Sequence, residues 1–149
     1  MNYLVREATA ADIPVLARYE CEISLISFGD EAVSDPERHA AKLEKALSQK
    51  SGGMFVLEHC GRIAGWLWMD AKINFMTRET YANFRSFYVA ADMRGGEAGE
   101  ILLKKGLDWC EASGARRVVG KVAAGNVSMR ALYKNAGFSA THITMELTL

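Results

Sequence analysis

Only three cysteines occur in this 149-residue chain, Cys21, Cys60 and Cys110, and no two of them stand at CxxC spacing. The odd count and wide separation exclude a disulfide scaffold, and a reducing cytoplasm becomes the default location. His39, His59 and His142 are too scattered to form a ligand pattern, so no metal is expected. Net charge is missing as well. Lys+Arg and Asp+Glu number 18 each, so no global field draws nucleic acid or an anionic membrane, and any anion site must be local. No apolar run approaches the ~18 residues that a bilayer span requires, and no basic segment followed by an apolar one opens the chain. Low-complexity and repeated segments are absent too.

What is present suits one compact domain. A hydrophobic content of 50% over 149 residues supports a single core, and residues 1–149 read as one domain. Tyr3 to Arg6 reads as a strand. Thr9-Ala10-Ala11-Asp12 resembles a capping box, with the Thr9 hydroxyl taking an orphan N–H, and it opens a helix through Ile13, Leu16 and Ala17. Ser34-Asp35-Pro36-Glu37 starts a second helix with Ala40, Leu43, Ala46 and Leu47 at helical spacing, and Ser51-Gly52-Gly53 ends it. Met54 to Glu58 and Ile63 to Met69 flank the turn His59-Cys60-Gly61-Arg62 and predict an antiparallel hairpin.

Another strand is expected from Tyr81 to Val89. A helix from Ala98 to Ala112 turns Ile101, Leu102, Leu107 and Trp109 toward the core and stops at Ser113-Gly114. Val118 to Val122 reads as a strand, Asn126 to Asn135 as a helix closed by Gly137, and Ile143 to Leu149 alternates like a final strand. The order β-α-α-β-β-β-α-β-α-β predicts an α/β or α+β domain with a mixed sheet.

Two motifs carry chemistry. Arg94-Gly95-Gly96-Glu97-Ala98-Gly99 lies between a strand and a helix, where bunched N–H groups at the positive end of the helix dipole suit a diphosphate. It is not a Walker A loop, since no Gly-Lys-Ser/Thr follows, and its glycines do not fit GxGxxG. A plain glycine-rich turn is the alternative. The second motif runs from Asn126 to Phe138. Together they resemble the GCN5-related N-acetyltransferases, which transfer an acyl group from coenzyme A to an amine. That family's loop, Gln/Arg-x-x-Gly-x-Gly/Ala, is matched by Arg94 and Gly99. Its later pattern is matched by Asn126, Leu132, Tyr133, Gly137 and Phe138, and nearly the whole chain follows its element order.

The resemblance implies a mixed central sheet with an antiparallel N-terminal part, splayed central strands and flanking helices. It implies acetyl-CoA as cosubstrate, with Phe87, Tyr88 and Val89 on the strand that pairs with pantetheine. The amides of Gly95, Gly96, Glu97, Ala98, Gly99 and Glu100 would hold the diphosphate, with charge added by Arg94. Asn126 would bond pantetheine or its neighbourhood, and Tyr133 would sit near the thioester sulfur. A phenol with a reference pKa near ~10 can protonate a departing thiolate whose reference is ~8.5, which makes Tyr133 the candidate general acid. Read alone, Asn126 is an N-cap and Tyr133 a core ring. The acceptor implied is a small-molecule or peptide amine attacking directly in a ternary complex, and a homodimer is admissible.

Several residues depart from the family pattern. Glu97 stands where the family has glycine; either its backbone is ordinary and its side chain faces solvent, which is favoured, or cofactor affinity is weakened. The strand from Tyr81 to Val89 carries no acid to serve as base, only polar residues such as Asn83, Arg85, Ser86 and Tyr88. Lys121 occupies the position at which enzymes acetylating ribosomal-protein N-termini have glutamate, which argues against that substrate. It could be a base only if its pKa were depressed, and a water relay is equally admissible.

Glu20, Glu22, Asp30 and Glu31 cluster at the exit of the first helix. They read as solvated charge, or as a preference for a cationic amine if they face the pocket. Trp66, Trp68, Phe75 and Tyr81 surround the expected sheet centre, with both tryptophans on one face and best read as core. Cys110 reads as a small buried hydrophobe rather than an acyl carrier. The alternative functions are a non-catalytic coenzyme A-binding or regulatory module, and a phosphate-binding interaction domain without coenzyme A preference.

Overall fold

The computed structural model describes residues 2–32, 34–50 and 52–149. The chain enters as β1 (Tyr3–Glu7) and turns through a short 3-10 segment into α1 (Ile13–Phe28). That corner is held by Asp12, whose carboxylate accepts two hydrogen bonds from Arg6 at 2.8 and 2.9 Å and one from the Thr9 amide at 2.8 Å. The Thr9 hydroxyl also donates to Asp12, at 3.2 Å. The neighbouring Arg6 guanidinium holds the Asp12 carboxyl below its ordinary pKa.

Asp35 accepts the Glu37 amide at 3.0 Å and Pro36 fills the first helical position, which starts α2 (Pro36–Gln49) where the sequence predicts it. Lys50, in the left-handed region at φ 50°, ends that helix. Of the expected stop, Ser51 lies outside the described residues. Leu16 of α1 and Leu43 of α2 are fully buried.

The sheet has the order β1-β2-β3-β4-β5, with β2 (Gly53–His59), β3 (Arg62–Ile73), β4 (Thr80–Val89) and β5 (Arg117–Val119). The first four strands are antiparallel and β5 is parallel to β4. Cys60 and Gly61 both take positive φ, which gives the β2–β3 hairpin the turn twist that matches its strands. Trp66 and Trp68 project to the face covered by α1. Leu67 and Met69 face α3 (Ala98–Ala112), as the alternation of a strand requires. On α3 the buried positions are Ala98, Leu102, Leu103, Gly106 and Cys110. The expected Ile101, Leu107 and Trp109 are only partly buried, so the buried face is rotated slightly from the one predicted.

Trp68 pairs with Ser86 but Met69 pairs with Phe84, so Arg85 is an extra residue on β4, a β-bulge. Phe84 and Phe87 therefore share the α3 face, while Arg85 stacks over Trp68 on the opposite face and Ser86 lies beside it.

Three further expectations are corrected. The strand predicted over Val118 to Val122 is confined to Arg117–Val119, because β5 pairs β4 only from Tyr81 to Asn83 and then diverges. The final strand over Ile143 to Leu149 does not form. Its alternation is genuine, but Ile143, Met145, Leu147 and Leu149 are all exposed, and the short β5 is too small a template for a seven-residue ladder. Phe75 is 92% exposed in the β3–β4 turn rather than near the sheet centre. That turn is set by Asn74, whose side-chain oxygen accepts the Met76 and Thr77 amides.

Candidate active site

Because β4 and β5 part after Asn83 and Val119, the main chain of β4 from Phe84 to Val89 has no strand partner on that side. A cavity of about 1410 Å³ opens there between β4, the segment following β5, the start of α3, and α4 (Val127–Asn135). It brings together both sequence motifs. Phe87, Tyr88, Val89, Arg94, Gly95, Gly96, Gly99, Glu100, Asn126 and Tyr133 all line it. Glu97 and Ala98 do not, being exposed and fully buried respectively.

The glycine loop owes its shape to Gly95, at φ +82°, a backbone that a side chain would strain. Glu97 has φ −76° and ψ −19°, ordinary right-handed values, and its side chain caps nothing. The solvent-facing alternative for Glu97 is thus the one observed. The first α3 bond runs from Ile101 N–H to the Glu97 carbonyl at 3.0 Å, which leaves the amides of Ala98, Gly99 and Glu100 without intrahelical acceptors. Arg94 Nε donates to the Val89 carbonyl at 2.8 Å, and the guanidinium lies 5.1 Å from the Tyr88 ring. The side chain is pinned at the junction of strand and loop.

Asn126 caps α4 by accepting the Met129 amide at 3.2 Å, and its residue also lines the cavity. Tyr133, 7% exposed, packs against Phe138 and Phe84 at centroid distances of 4.9 and 5.6 Å. Its hydroxyl has no hydrogen-bond partner among the described residues, and burial raises its pKa well above the ordinary phenol value. The phenol stays protonated at neutral pH.

Gly120 supports this ring, since a Cβ there would fall 2.8 Å from both Cζ and the hydroxyl oxygen of Tyr133. Gly120→Ala is expected to push the phenol out of place and to destabilise the fold by about 1–3 kcal/mol through overpacking. Thermal denaturation with a parallel turnover assay checks this, and an unshifted melting temperature would show that Gly120 is not a packing constraint.

Glu20, which the sequence places in the acidic cluster read as solvated charge, is buried instead. It is 4% exposed, and its Oε2 accepts the Ser86 hydroxyl at 2.7 Å and the Trp66 Nε1–H at 3.4 Å. Its Oε1 lies 3.7 Å from Lys42 Nζ. Ser86 itself lines the cavity, so a carboxylate stands one hydroxyl behind the wall. A legible signal existed: Ile13, Leu16, Ala17 and Glu20 share one helical stripe, so the acid sits on the buried face of α1.

Glu22 accepts the Tyr88 hydroxyl, and burial together with that bond raises the Tyr88 pKa. Asp30 and Glu31 are exposed and do not line the cavity. Lys121 is exposed along the wall rather than buried. Cys110 is 2% exposed, and desolvation pushes its thiol up to about 11, which leaves it an unreactive core residue. Among the described residues no three His, Cys, Asp or Glu side chains group as metal ligands.

A sheet opened between two parallel strands beside a glycine loop and a helix N-terminus is the architecture of an acyltransferase fold. The chain belongs to the acetyltransferase (GNAT) family, whose model matches residues 18–138. Solved structures share the fold over nearly their whole length. A putative acetyl transferase from Pyrococcus furiosus superimposes with a TM-score of 0.81 at 23% identity, covering 99% of this chain and 100% of that one. A transcriptional regulator from Bacillus halodurans C-125 gives 0.83 at 15% identity, with the same shares covered. Glucosamine-6-phosphate N-acetyltransferase from Arabidopsis thaliana gives 0.73 at 18% identity, covering 99% of each chain. No curated protein matches the chain. Among the described residues no helix is long and apolar enough to cross a membrane.

Proposed function

We propose that this acetyltransferase uses acetyl-CoA as donor and passes the acetyl group directly to a primary amine, with both substrates bound together. The observation that carries the reading is the opening between β4 and β5, which leaves an unpaired strand edge along a cavity that ends at the free amides of α3. The residues present fit the cosubstrate. An extended pantetheine suits main-chain pairing along Phe87 to Val89. A diphosphate suits the amides from Gly95 to Glu100 together with the positive end of α3. Among the described residues the Asn126 side-chain nitrogen has no hydrogen-bond partner, while its oxygen caps α4.

Bound there, acetyl-CoA supplies an activated acetyl thioester. The protein's own groups manage the protons. Tyr133 holds a proton on a phenol that burial keeps neutral, ready to donate to a departing thiolate. An acceptor amine, protonated in water at pKa near ~10, must lose a proton before it attacks. Ser86 lines the cavity and donates to Glu20, so the pair forms a path that passes the amine proton from the serine hydroxyl to the buried carboxylate. The main-chain amides of β4 are the available donors for a developing oxyanion. An amine acceptor agrees with the name of the Arabidopsis neighbour, which acts on glucosamine-6-phosphate.

The test combines calorimetric titration of coenzyme A with thiol release from acetyl-CoA across an amine panel. Binding of the cosubstrate and amine-dependent release of thiol, with intersecting initial-rate lines, are the expected results. Tight binding without release from any amine would instead make the chain a non-catalytic coenzyme A-binding module. Equal competition by nucleoside diphosphates would point to a general phosphate site.

A further inference from the structure

Resting on that acyl-transfer reading, we propose that the acceptor is a primary amine that also carries a carboxylate or phosphate group. Away from α3 the cavity wall is cationic: Lys42 of α2, Lys72 of β3, Arg85 of β4 and Lys121 beyond β5 all line it. Glu100 is the acidic residue on the wall among the described residues, and it belongs to the first turn of α3, at the cosubstrate end. The carboxylates near the cations do not line the cavity. Glu20 is buried behind it, 3.7 Å from Lys42, and Asp70 reaches Arg85 only at 4.0 Å. Neither Lys72 nor Lys121 has an ion-pair partner among the described residues.

Trp68 gathers two of these charges. Its ring lies 4.0 Å from the Arg85 guanidinium carbon and 5.4 Å from Lys42 Nζ, so one indole holds both cations. Trp68 is itself 1% exposed and lines the cavity, and among the described residues its Nε1–H has no hydrogen-bond partner. An anionic oxygen would answer the cations, and any acceptor oxygen would answer the orphan donor. The planar fork of Arg85 suits a carboxylate or a phosphate. A purely cationic amine would meet like charge along this wall. The preference expected if the acidic cluster of α1 faced the pocket is therefore reversed.

Matched amine pairs test this: phenethylamine against phenylalanine for the carboxylate, and ethanolamine against O-phosphoethanolamine for the phosphate. Each is read twice, as kcat/KM by thiol release and as calorimetric binding to the protein with coenzyme A present. In at least one pair the member carrying the anionic group is expected to be favoured over the one lacking it by about tenfold. The advantage should shrink as salt rises. It should collapse toward parity in Arg85→Gln and weaken in Lys72→Gln, an exposed position whose change leaves the core untouched.

The arms separate carboxylate from phosphate. Preference for the members lacking the anionic group or for putrescine, or an anionic preference undiminished in Arg85→Gln, overturns the inference and leaves acyl transfer standing. Absence of thiol release from every amine overturns the acyl-transfer reading instead. The binding arm then decides the acceptor, because anionic amines must still bind in an Arg85-dependent way.

Discussion

Tyr133→Phe is expected to lower kcat by about 10²–10⁴-fold, the range that a positioned acid contributes, while coenzyme A binding is retained. The substitution removes one oxygen and leaves the ring that packs on Phe84 and Phe138. Since the hydroxyl has no partner among the described residues, its loss orphans nothing and costs little stability. Activity and fold therefore separate in this variant. Burial raises the phenol's pKa above its unperturbed reference of ~10, so the wild-type rate should show no alkaline decline attributable to Tyr133 below that value. Turnover unchanged in the phenylalanine variant would remove the acid role. Lost coenzyme A binding would assign the ring to packing instead.

The second large effect is expected at Glu20. Glu20→Gln preserves shape but removes the charged end of the path from Ser86, and kcat should fall by about 10²-fold, the lower part of the range for a general base. The signature is in the pH profile. If the carboxylate relieves the acceptor amine of its proton, the glutamine variant should recover rate at alkaline pH, where the free amine is abundant without help from the protein. Ser86→Ala should reproduce the loss, since it breaks the 2.7 Å bond that connects the cavity to the carboxylate. A glutamine variant with wild-type turnover and an unchanged pH profile would show that Glu20 serves only to anchor α1 and Lys42.

Which parts of this molecule were legible in its sequence follows from where the determining interactions lie. Local ones read well. Pro36 after Asp35, the Cys60-Gly61 turn and the Asn126 cap each fix their element through bonds within a few residues. The family frame from Arg94 to Gly99 and from Asn126 to Phe138 read well too, because backbone shape and packing constrain it closely. Long-range features did not. The length of β5 depends on how far it follows β4 before diverging, and residues 118–122 alone contain no record of that. The tail from Ile143 alternates as a strand should, but alternation reports a surface suited to pairing rather than a partner. Glu20 was hidden differently: its partner Ser86 is 66 residues away, and a lone acid on an apolar helix face shows its purpose only when the opposite strand is in view.

The extra residue in β4 has a consequence beyond register. In a regular strand, neighbours point to opposite sides, so two adjacent positions never address the same small molecule. At Arg85 that grammar is suspended, and Arg85 and Ser86 turn consecutively to one side while Phe84 and Phe87 close the other. On the proposed roles of Arg85 and Ser86, one insertion would let a single stretch of backbone both choose a molecule and ready it for reaction. Deleting that residue would leave a strand able to do one or the other, and a lineage altering its acceptor could exchange the first side chain without disturbing the second.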